Sequence, residues 1–121
     1  MEYSRPPGDQ LVRRTKLSAE VISLIADRFK ALSEPARLEI LNSLRQGEKT
    51  VSQLVDQSGL GQANVSKHLQ SLYAAGFVGR RKEGLFVYYF LADAAVLKLC
   101  DIMCDRLENE VTLRRKALSA R

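Results

Sequence analysis

The sequence predicts a mainly α-helical domain that contains a small β-hairpin and ends in a long helix. Through most of the stretch from Ser18 to Ala75, apolar residues recur at spacings of three and four, the period of an α-helix. From Phe77 to Phe90 the period changes to two, and β-branched and aromatic residues become dense, as in paired strands. A chain of 121 residues, 45% of them hydrophobic, is long enough to bury the core of one domain.

We divide the chain into three parts. Residues 1–16 hold Pro6, Pro7 and Gly8 among charged residues, which predicts a flexible basic arm. Residues 17–117 carry the periodic patterns and form the predicted folded domain, and residues 118–121 form a short tail.

The first three helices have recognisable ends. Ser18 can accept hydrogen bonds from free backbone amides, so the first helix is predicted to begin there and to run to about Leu32. Ser33 is predicted to cap the second helix, whose apolar stripe is Leu38, Leu41 and Leu44 and whose end is at Gly47. Thr50 and Gln53 form a capping box for a short third helix, which stops at Ser58-Gly59.

The stretch "GQANVSKHLQSLYAAGF", from Gly61 to Phe77, predicts a fourth helix that turns Val65, Leu69, Leu72 and Ala75 inward and ends at a left-handed Gly76. Two strands follow, Phe77 to Lys82 and Leu85 to Phe90, joined at Glu83-Gly84. Asp93 can cap a last helix that runs to about Lys116. Its apolar stripe consists of Val96, Cys100, Met103, Leu107 and Val111.

Two helices joined by a short turn containing Gly, the second with a polar outer face, are the elements of a helix-turn-helix, and a basic hairpin directly afterwards makes it winged. An α-helix fits the major groove of DNA, where short donors and acceptors reach base edges. The net charge of +5 also favours a polyanionic partner. The predicted DNA-binding residues are Gln62, Asn64, Ser66 and Lys67, the backbone amides of Gln62 and Ala63 for a phosphate, and Arg80, Arg81 and Lys82 on the hairpin.

These features also allow other interpretations. The polar face could be merely solvated, but it holds no acidic residue between Gln62 and Ala75, and three consecutive cations follow it. The domain could be a protein-interaction module without DNA readout. An enzyme is not expected, because the chain has no phosphate-binding loop and no grouping of nucleophile and base. The lone histidine, His68, is expected to be a partly buried packing residue rather than a ligand or a DNA contact.

The chain resembles the winged helix-turn-helix core of the ArsR/SmtB family of repressors from about Phe29 to Asp93. The most specific segments are "ALSEPARLEIL", "QANVSKHLQSL" and "GFVGRRKEGLFVYYFL". The resemblance implies a homodimer that packs its first and last helices across a two-fold axis and reads an inverted-repeat operator. It places Gln62, Ala63, Asn64, Ser66 and Lys67 against the DNA, and the wing from Arg80 to Gly84 against the backbone or minor groove. The apolar surplus of the first and last helices also indicates a symmetric partner.

The resemblance further implies release from DNA by a metal ion or by cysteine modification. The third helix lacks the family's paired cysteines, Ala95 and Arg106 stand where its zinc sensors have histidines, and Asn42 replaces the cysteine of its persulfide sensors. Cys100 and Cys104 remain, four residues apart on one helix. They could bind arsenite, zinc or copper(I). A site of four thiolates would need both subunits, and a smaller one a third group from the N-terminal arm or solvent. They could instead act as a redox or persulfide switch, or simply pack as small apolar residues.

The chain is expected to be an intracellular protein without a membrane partner. Its start, "MEYSRPPGDQ", does not resemble a signal peptide, and charges interrupt every apolar stretch well short of the roughly 20 residues that span a bilayer. Two cysteines are too few for a secreted disulfide scaffold. A DNA-binding protein with these properties is expected in the cytoplasm of a bacterium or archaeon, associated with the nucleoid.

Overall fold

The computed structural model describes residues 16–119, so the predicted arm lies outside the described residues except for Lys16. No helix in this range is both long and apolar enough to cross a membrane. The elements, in chain order, are α1 (Ala19–Leu32), α2 (Pro35–Ser43), a 3₁₀ turn (Leu44–Gln46), β1 (Lys49–Thr50), α3 (Val51–Ser58), α4 (Gln62–Ala74), β2 (Val78–Glu83), β3 (Phe86–Leu91) and α5 (Ala95–Ser119). The prediction of a mainly helical chain with a winged helix-turn-helix order is confirmed.

The predicted caps of α3 and α5 are present. The Thr50 hydroxyl accepts from the Gln53 amide at 3.2 Å, and the Gln53 side chain accepts from the Thr50 amide at 2.9 Å. This reciprocal pair satisfies two of the amides that a helix start leaves free. At α5, the Ala95 amide donates to Asp93 Oδ1 at 2.9 Å. α5 continues three residues beyond the predicted end at Lys116, because nothing in the sequence from Ala117 to Ser119 breaks a helix.

Ser33 does not cap α2, contrary to prediction. Its hydroxyl donates to the Lys30 carbonyl at 2.8 Å, so the side chain closes α1 instead. α2 begins after Glu34, which makes no side-chain capping hydrogen bond. Pro35 lacks an amide at this start, which leaves one fewer backbone donor to satisfy. The predicted stripe of α2 also needs correction, since Ile40 is buried whereas Leu38 is 39% exposed.

The sheet has three strands where only a hairpin was predicted. β1 pairs antiparallel with β3, with Lys49 opposite Tyr89, and the strand order is β1-β3-β2. A strand of two residues has no period from which it could be predicted. In the hairpin, Glu83 pairs with Phe86, so each strand begins and ends one residue later than predicted. Gly84 and Leu85 form the turn, and Gly84 takes a left-handed φ of 61° that favours glycine.

The core lies beneath the inner face of α4. Val65, Leu69 and Leu72 are fully buried there, as predicted, and Gly76 ends the helix region with a left-handed φ of 83°. Elements from the whole described chain complete the cluster. Its remaining members are Leu32, Ile40, Leu41, Leu44, Leu54, Val78, Tyr89 and Val96.

The outer faces of α1 and α5 stay uncovered in the single chain. On α1, five large apolar residues are each between 37% and 63% exposed: Val21, Ile22, Leu24, Ile25 and Phe29. Along α5, the predicted stripe is buried only at Val96, whereas Met103, Leu107 and Val111 are 48–60% exposed. Apolar surface of this extent on two helices is typical of an interface.

Candidate nucleic-acid interface

Burial of one face of α4 determines which residues point outward. With Val65, Leu69 and Leu72 buried, the N-terminal half of the helix presents a polar surface of short side chains. This surface, called here the recognition face, consists of the exposed Gln62, Ala63, Asn64 and Lys67 and the half-buried Ser66. The five residues predicted from the sequence therefore lie together within the first two turns of α4.

The start of α4 is suited to an anion. Gly61 precedes the helix in an extended conformation and provides no side-chain cap, so among the described residues no capping side chain accepts from the amides of the first turn. α4 has no acidic residue in its first turn, and Lys67 lies on the next turn. Free amides and the positive end of the helix dipole favour a phosphate oxygen at this position.

The turn between α3 and α4 consists of Gly59, Leu60 and Gly61. Gly59 ends α3 with a left-handed φ of 72°, which favours glycine. The Leu60 amide donates to the Ser58 hydroxyl at 3.2 Å, and the Leu60 side chain packs against the core. This turn fixes the direction of α4 relative to α3 through packing and hydrogen bonds.

A network of polar side chains holds the middle of α4 from behind. Arg37 on α2 donates from Nε to His68 Nδ1 at 3.2 Å and from Nη2 to the Ser71 hydroxyl at 3.2 Å. It also donates from Nη1 to the Ala31 carbonyl at 3.2 Å, which connects the end of α1. Glu34 Oε2 lies 3.4 Å from Arg37 Nε. We call Arg37, Glu34, His68 and Ser71 the Arg37 network.

His68 is partly buried, as predicted, with 15% of its side chain exposed. It does more than pack, because its Nδ1 accepts a hydrogen bond from an arginine. Its position behind the recognition face, next to Lys67, makes it a support of that face. The sequence patterns indicated neither Arg37 nor Ser71 as part of the site. Arg37 lies 31 residues before His68 and 34 residues before Ser71, and no local pattern relates residues that far apart.

The wing consists of β2, β3 and the turn between them, and its two faces differ. In the strand register Arg80 lies opposite Tyr89 and Lys82 opposite Val87, so these cations share the face that continues from the core. The Arg80 guanidinium stacks over the Tyr73 ring of α4, 4.1 Å from its centroid. This cation–π contact joins the wing to α4 while leaving the arginine exposed.

Arg81 points to the other face, opposite Tyr88, and is held by carboxylates. Its Nε donates to Glu48 Oε2 at 2.8 Å, its Nη2 donates to the other Glu48 oxygen, and its Nη1 donates to Glu83 at 2.6 Å. The hydrogen bond from Arg81 lowers the pKa of Glu48, and the two carboxylates raise the pKa of Arg81. Arg81 is thus paired with two negative charges, unlike Arg80 and Lys82, for which the described residues show no such pairs.

Cys100 and Cys104 lie on α5, far along the chain from the recognition face. Cys100 is half-buried and Cys104 is exposed, with its Sγ 3.7 Å from Glu108 Oε1. The negative charge of Glu108, followed by desolvation, raises the pKa of the Cys104 thiol. Residues 16–119 bring together no group of three or more His, Cys, Asp and Glu side chains suited to a metal ion. Within residues 16–119 the pair therefore offers two sulfur ligands and belongs to no larger group of metal-binding side chains.

Comparison with known proteins agrees with this geometry. The family model of bacterial regulatory proteins of the ArsR family matches residues 34–79, which include α2, α3, α4 and the turn between the last two. The probable mercury resistance operon repressor of Streptomyces lividans is 37% identical over 86 residues, covering 70% of this chain and 69% of that protein. The nodulation protein NolR of Rhizobium meliloti is 35% identical over 86 residues, covering 71% and 70%.

A solved structure shows the same architecture. The homodimeric winged helix-turn-helix DNA-binding domain from Mycobacterium bovis superposes with a TM-score of 0.68 at 30% identity, covering 80% of this chain and 90% of that one. The chain belongs to the ArsR family of transcriptional regulators, proteins that bind DNA through a winged helix-turn-helix and are not enzymes.

Proposed function

We propose that two copies of this chain form a dimer that represses transcription by binding an inverted-repeat operator. The observation that carries the proposal is the recognition face: short polar side chains and Lys67 on an α4 whose buried side fixes its orientation. In this arrangement Gln62, Asn64 and Ser66 contact base edges in a major groove. The amides of Gln62 and Ala63 hold a phosphate.

The wing supplies affinity that does not depend on sequence. Arg80 and Lys82 share one face and are available for phosphates, whereas Arg81 has to leave Glu48 and Glu83 before it can bind one. We therefore assign Arg80 and Lys82 as the main phosphate contacts of the wing and Arg81 as a weaker one. Neutralising phosphates releases counterions, so binding weakens steeply with salt.

Dimerisation follows from the uncovered apolar faces of α1 and α5. Each copy contributes the same surface, which suits a two-fold axis, and such an axis matches an inverted repeat. The homodimeric state of the Mycobacterium bovis domain supports this assignment. The regulator would act on the chromosome, in the cytoplasm.

An inducer would act most directly through α5, because Cys100 and Cys104 lie on or beside its apolar stripe. The raised pKa of Cys104 lowers its thiolate fraction at neutral pH, which disfavours reaction with peroxide or persulfide. A soft ion such as arsenite, zinc or copper(I) can displace the thiol proton. A four-thiolate site needs both copies, and a smaller site takes a third ligand from the N-terminal arm or from solvent. We propose thiol-dependent release, by a soft ion or by modification of the thiols; the raised pKa of Cys104 opposes both, because each requires the thiolate.

A duplex selected from a randomised pool tests operator binding. The expected result is selection of an inverted repeat, with binding reduced at least tenfold in Lys67→Ala and unchanged in Lys116→Ala, which removes a cation from the far end of α5. Selection of no sequence, or equal loss in both variants, would favour a protein-interaction module.

For the inducer, the bound complex is titrated with arsenite, zinc, copper(I), peroxide and a persulfide donor. Equal release of wild type and a Cys100→Ser, Cys104→Ser variant contradicts the thiol proposal.

A further inference from the structure

A cavity of about 300 Å³ lies where the second half of α1, the residues that follow α4 and the start of α5 meet. Its walls include the apolar side chains of Phe77, Val96 and Leu99. Val96 belongs to the buried core, and Phe77 packs against that core. The volume is at the lower end of the roughly 300–1,000 Å³ typical of small-molecule sites, so the cavity suits a compact ligand with an apolar part.

Two opposite charges line the same cavity. Arg28 belongs to α1, and Asp93 lies just before α5. No ion pair joins the two, and within residues 16–119 neither has another ion-pair partner. Asp93 accepts a hydrogen bond from the Ala95 amide through Oδ1, and the described residues give its other oxygen no donor. The cavity therefore has a guanidinium and a carboxylate oxygen on its walls that do not neutralise each other.

Gly76 allows the Arg28 guanidinium to approach the end of α4. A Cβ at Gly76 would lie 2.9 Å from Arg28 Nη1, so the guanidinium packs directly on the glycine backbone. That backbone is fixed by its own hydrogen bonds. The Gly76 amide donates to the Tyr73 carbonyl at 3.0 Å, and the Phe77 amide donates to the Leu72 carbonyl at 3.0 Å. Arg28 is thus seated against a rigid part of the cavity wall.

We propose that this cavity binds an apolar α-amino acid of about the size of leucine. Arg28 pairs with the carboxylate of the ligand, Asp93 pairs with its ammonium group, and its side chain packs against Phe77, Val96 and Leu99. A simple anion would lie beside the uncompensated Asp93 carboxylate, and a simple cation would lie beside Arg28. A zwitterion satisfies both charges in one small volume, and the apolar walls favour a hydrocarbon side chain.

The bound amino acid acts as an effector, a part of the proposal that rests on the proposed function. The cavity is bounded by α1 and α5, whose apolar faces form the proposed dimer interface, and by the residues that end α4. A ligand that joins Arg28 to Asp93 fixes the dimer helices relative to the recognition helix, so its binding changes the affinity for the operator. This response is independent of Cys100 and Cys104, neither of which lines the cavity.

Isothermal titration calorimetry of the dimer without DNA tests the site. Leucine is the probe, and isocaproate and isoamylamine, which each lack one of its two charged groups, are the comparison ligands. Leucine should bind at least tenfold more tightly than either. Binding without leucine's preference over isocaproate overturns the role of Asp93, and absence of leucine binding overturns the whole proposal.

Matched variants separate the site from general effects of charge. Arg28→Gln and Asp93→Asn should each weaken leucine binding at least tenfold. Asp93→Asn keeps an oxygen that can cap α5, so the start of that helix is preserved. Lys30→Gln removes a positive charge from α1 outside the cavity and should bind leucine as wild type does. Equal leucine binding by Arg28→Gln and Lys30→Gln overturns the assignment of the cavity.

Operator affinity with and without saturating leucine tests the effector role. The expected change is at least fivefold, and because coupling is reciprocal, operator-bound dimer should differ from free dimer in leucine affinity by the same factor. The Cys100→Ser, Cys104→Ser variant should keep this response, and Arg28→Gln should lose it. An unchanged operator affinity overturns the effector role. If the wild-type dimer selects no duplex, the proposed function itself has failed, whereas calorimetry without DNA still decides the site.

Discussion

Arg37 Nε donates a hydrogen bond to His68 Nδ1 at 3.2 Å, and this contact connects α2 to the back of the recognition helix. Only 14% of the Arg37 side chain is exposed, so its hydrogen bonds are largely shielded from water. The same guanidinium reaches the Ser71 hydroxyl and the Ala31 carbonyl. One arginine therefore holds three helices in the relative positions that present Lys67 outward.

Removing that arginine should loosen α4 before it unfolds the domain. Arg37→Met keeps most of the side-chain volume but leaves His68 and Ser71 without their donor. We expect a loss of about 2 kcal/mol in the free energy of unfolding, together with weaker DNA binding. Urea denaturation measures the first effect and fluorescence anisotropy the second. Arg114→Met, on exposed α5, serves as the control; if both variants are equally stable, the Arg37 network does not support α4.

Gly79 is required by the close packing of the wing. A Cβ at this position would lie 2.5 Å from two carbons of the Phe90 ring, closer than any side chain tolerates. Gly79→Ala should therefore cost about 1–3 kcal/mol of stability. Gly61→Ala is the matched control, because a Cβ there meets nothing within 4 Å. A melting temperature for Gly79→Ala equal to that of the control would show that Phe90 moves aside without cost.

The pair formed by Glu48 and Arg81 should make stability depend on pH in the acid range. Hydrogen bonding to Arg81 lowers the pKa of Glu48 below its ordinary value of 4.5, so the folded state binds this proton less tightly than the unfolded state. The stabilisation is complete above that value and is lost as pH falls through the lowered pKa. Melting curves of wild type and Glu48→Gln should differ at neutral pH and converge in acid. A difference that is constant with pH would contradict the pairing.

Glu48→Gln should also strengthen binding to DNA. With one of its two carboxylates neutralised, Arg81 becomes a better phosphate ligand. The expected change is a steeper dependence of affinity on salt, by up to about two units in the logarithmic slope, because each copy in the dimer contributes one Arg81. Glu39→Gln removes a negative charge from an exposed position on α2 and therefore controls for the change in net charge. Identical slopes for the two variants would mean that Arg81 stays away from DNA.

The apolar stripe of α5 should hold the dimer together. Met103 is 60% exposed and Leu107 is 54% exposed in the single chain, and both lie on the stripe. Leu107→Glu places a charge in the proposed interface and should shift sedimentation from dimer to monomer at micromolar concentration. Asn109→Glu adds the same charge on the opposite side of the helix. A monomeric Asn109→Glu with a dimeric Leu107→Glu would reverse the assignment of faces.

Local patterns in the sequence were sufficient to predict the helices, the hairpin and the recognition face. The capping box at Thr50 and the left-handed glycines act within a few residues, so the sequence displays them directly. The misassigned Ser33 cap shows the limit of this reasoning, because a serine between two helices can serve either one. The β1 strand and the Arg37 network depend on partners about 30 to 40 residues away, which no periodicity encodes.

The basic run of the wing illustrates the same limit for charge. Three consecutive cations predict a uniform phosphate surface, but strand alternation separates Arg81 from Arg80 and Lys82. Only the fold brings Glu48 next to Arg81. For the cysteines, helical spacing indicates a shared face, and the same spacing places the carboxylates that raise the Cys104 pKa, Glu108, Asp105 and Asp101, within four residues of it on α5.

The central claim, a dimer reading two half-sites, is tested most directly by the affinity for the selected inverted repeat and for the same duplex with one half-site scrambled. The account predicts at least a hundredfold difference at moderate salt, because losing one half-site removes the base contacts of one α4. It also predicts that affinity for the intact repeat falls about a thousandfold between 50 and 200 mM salt, as expected for roughly six phosphate contacts from Lys67, Arg80 and Lys82 of both copies. Equal affinity for the two duplexes would contradict it.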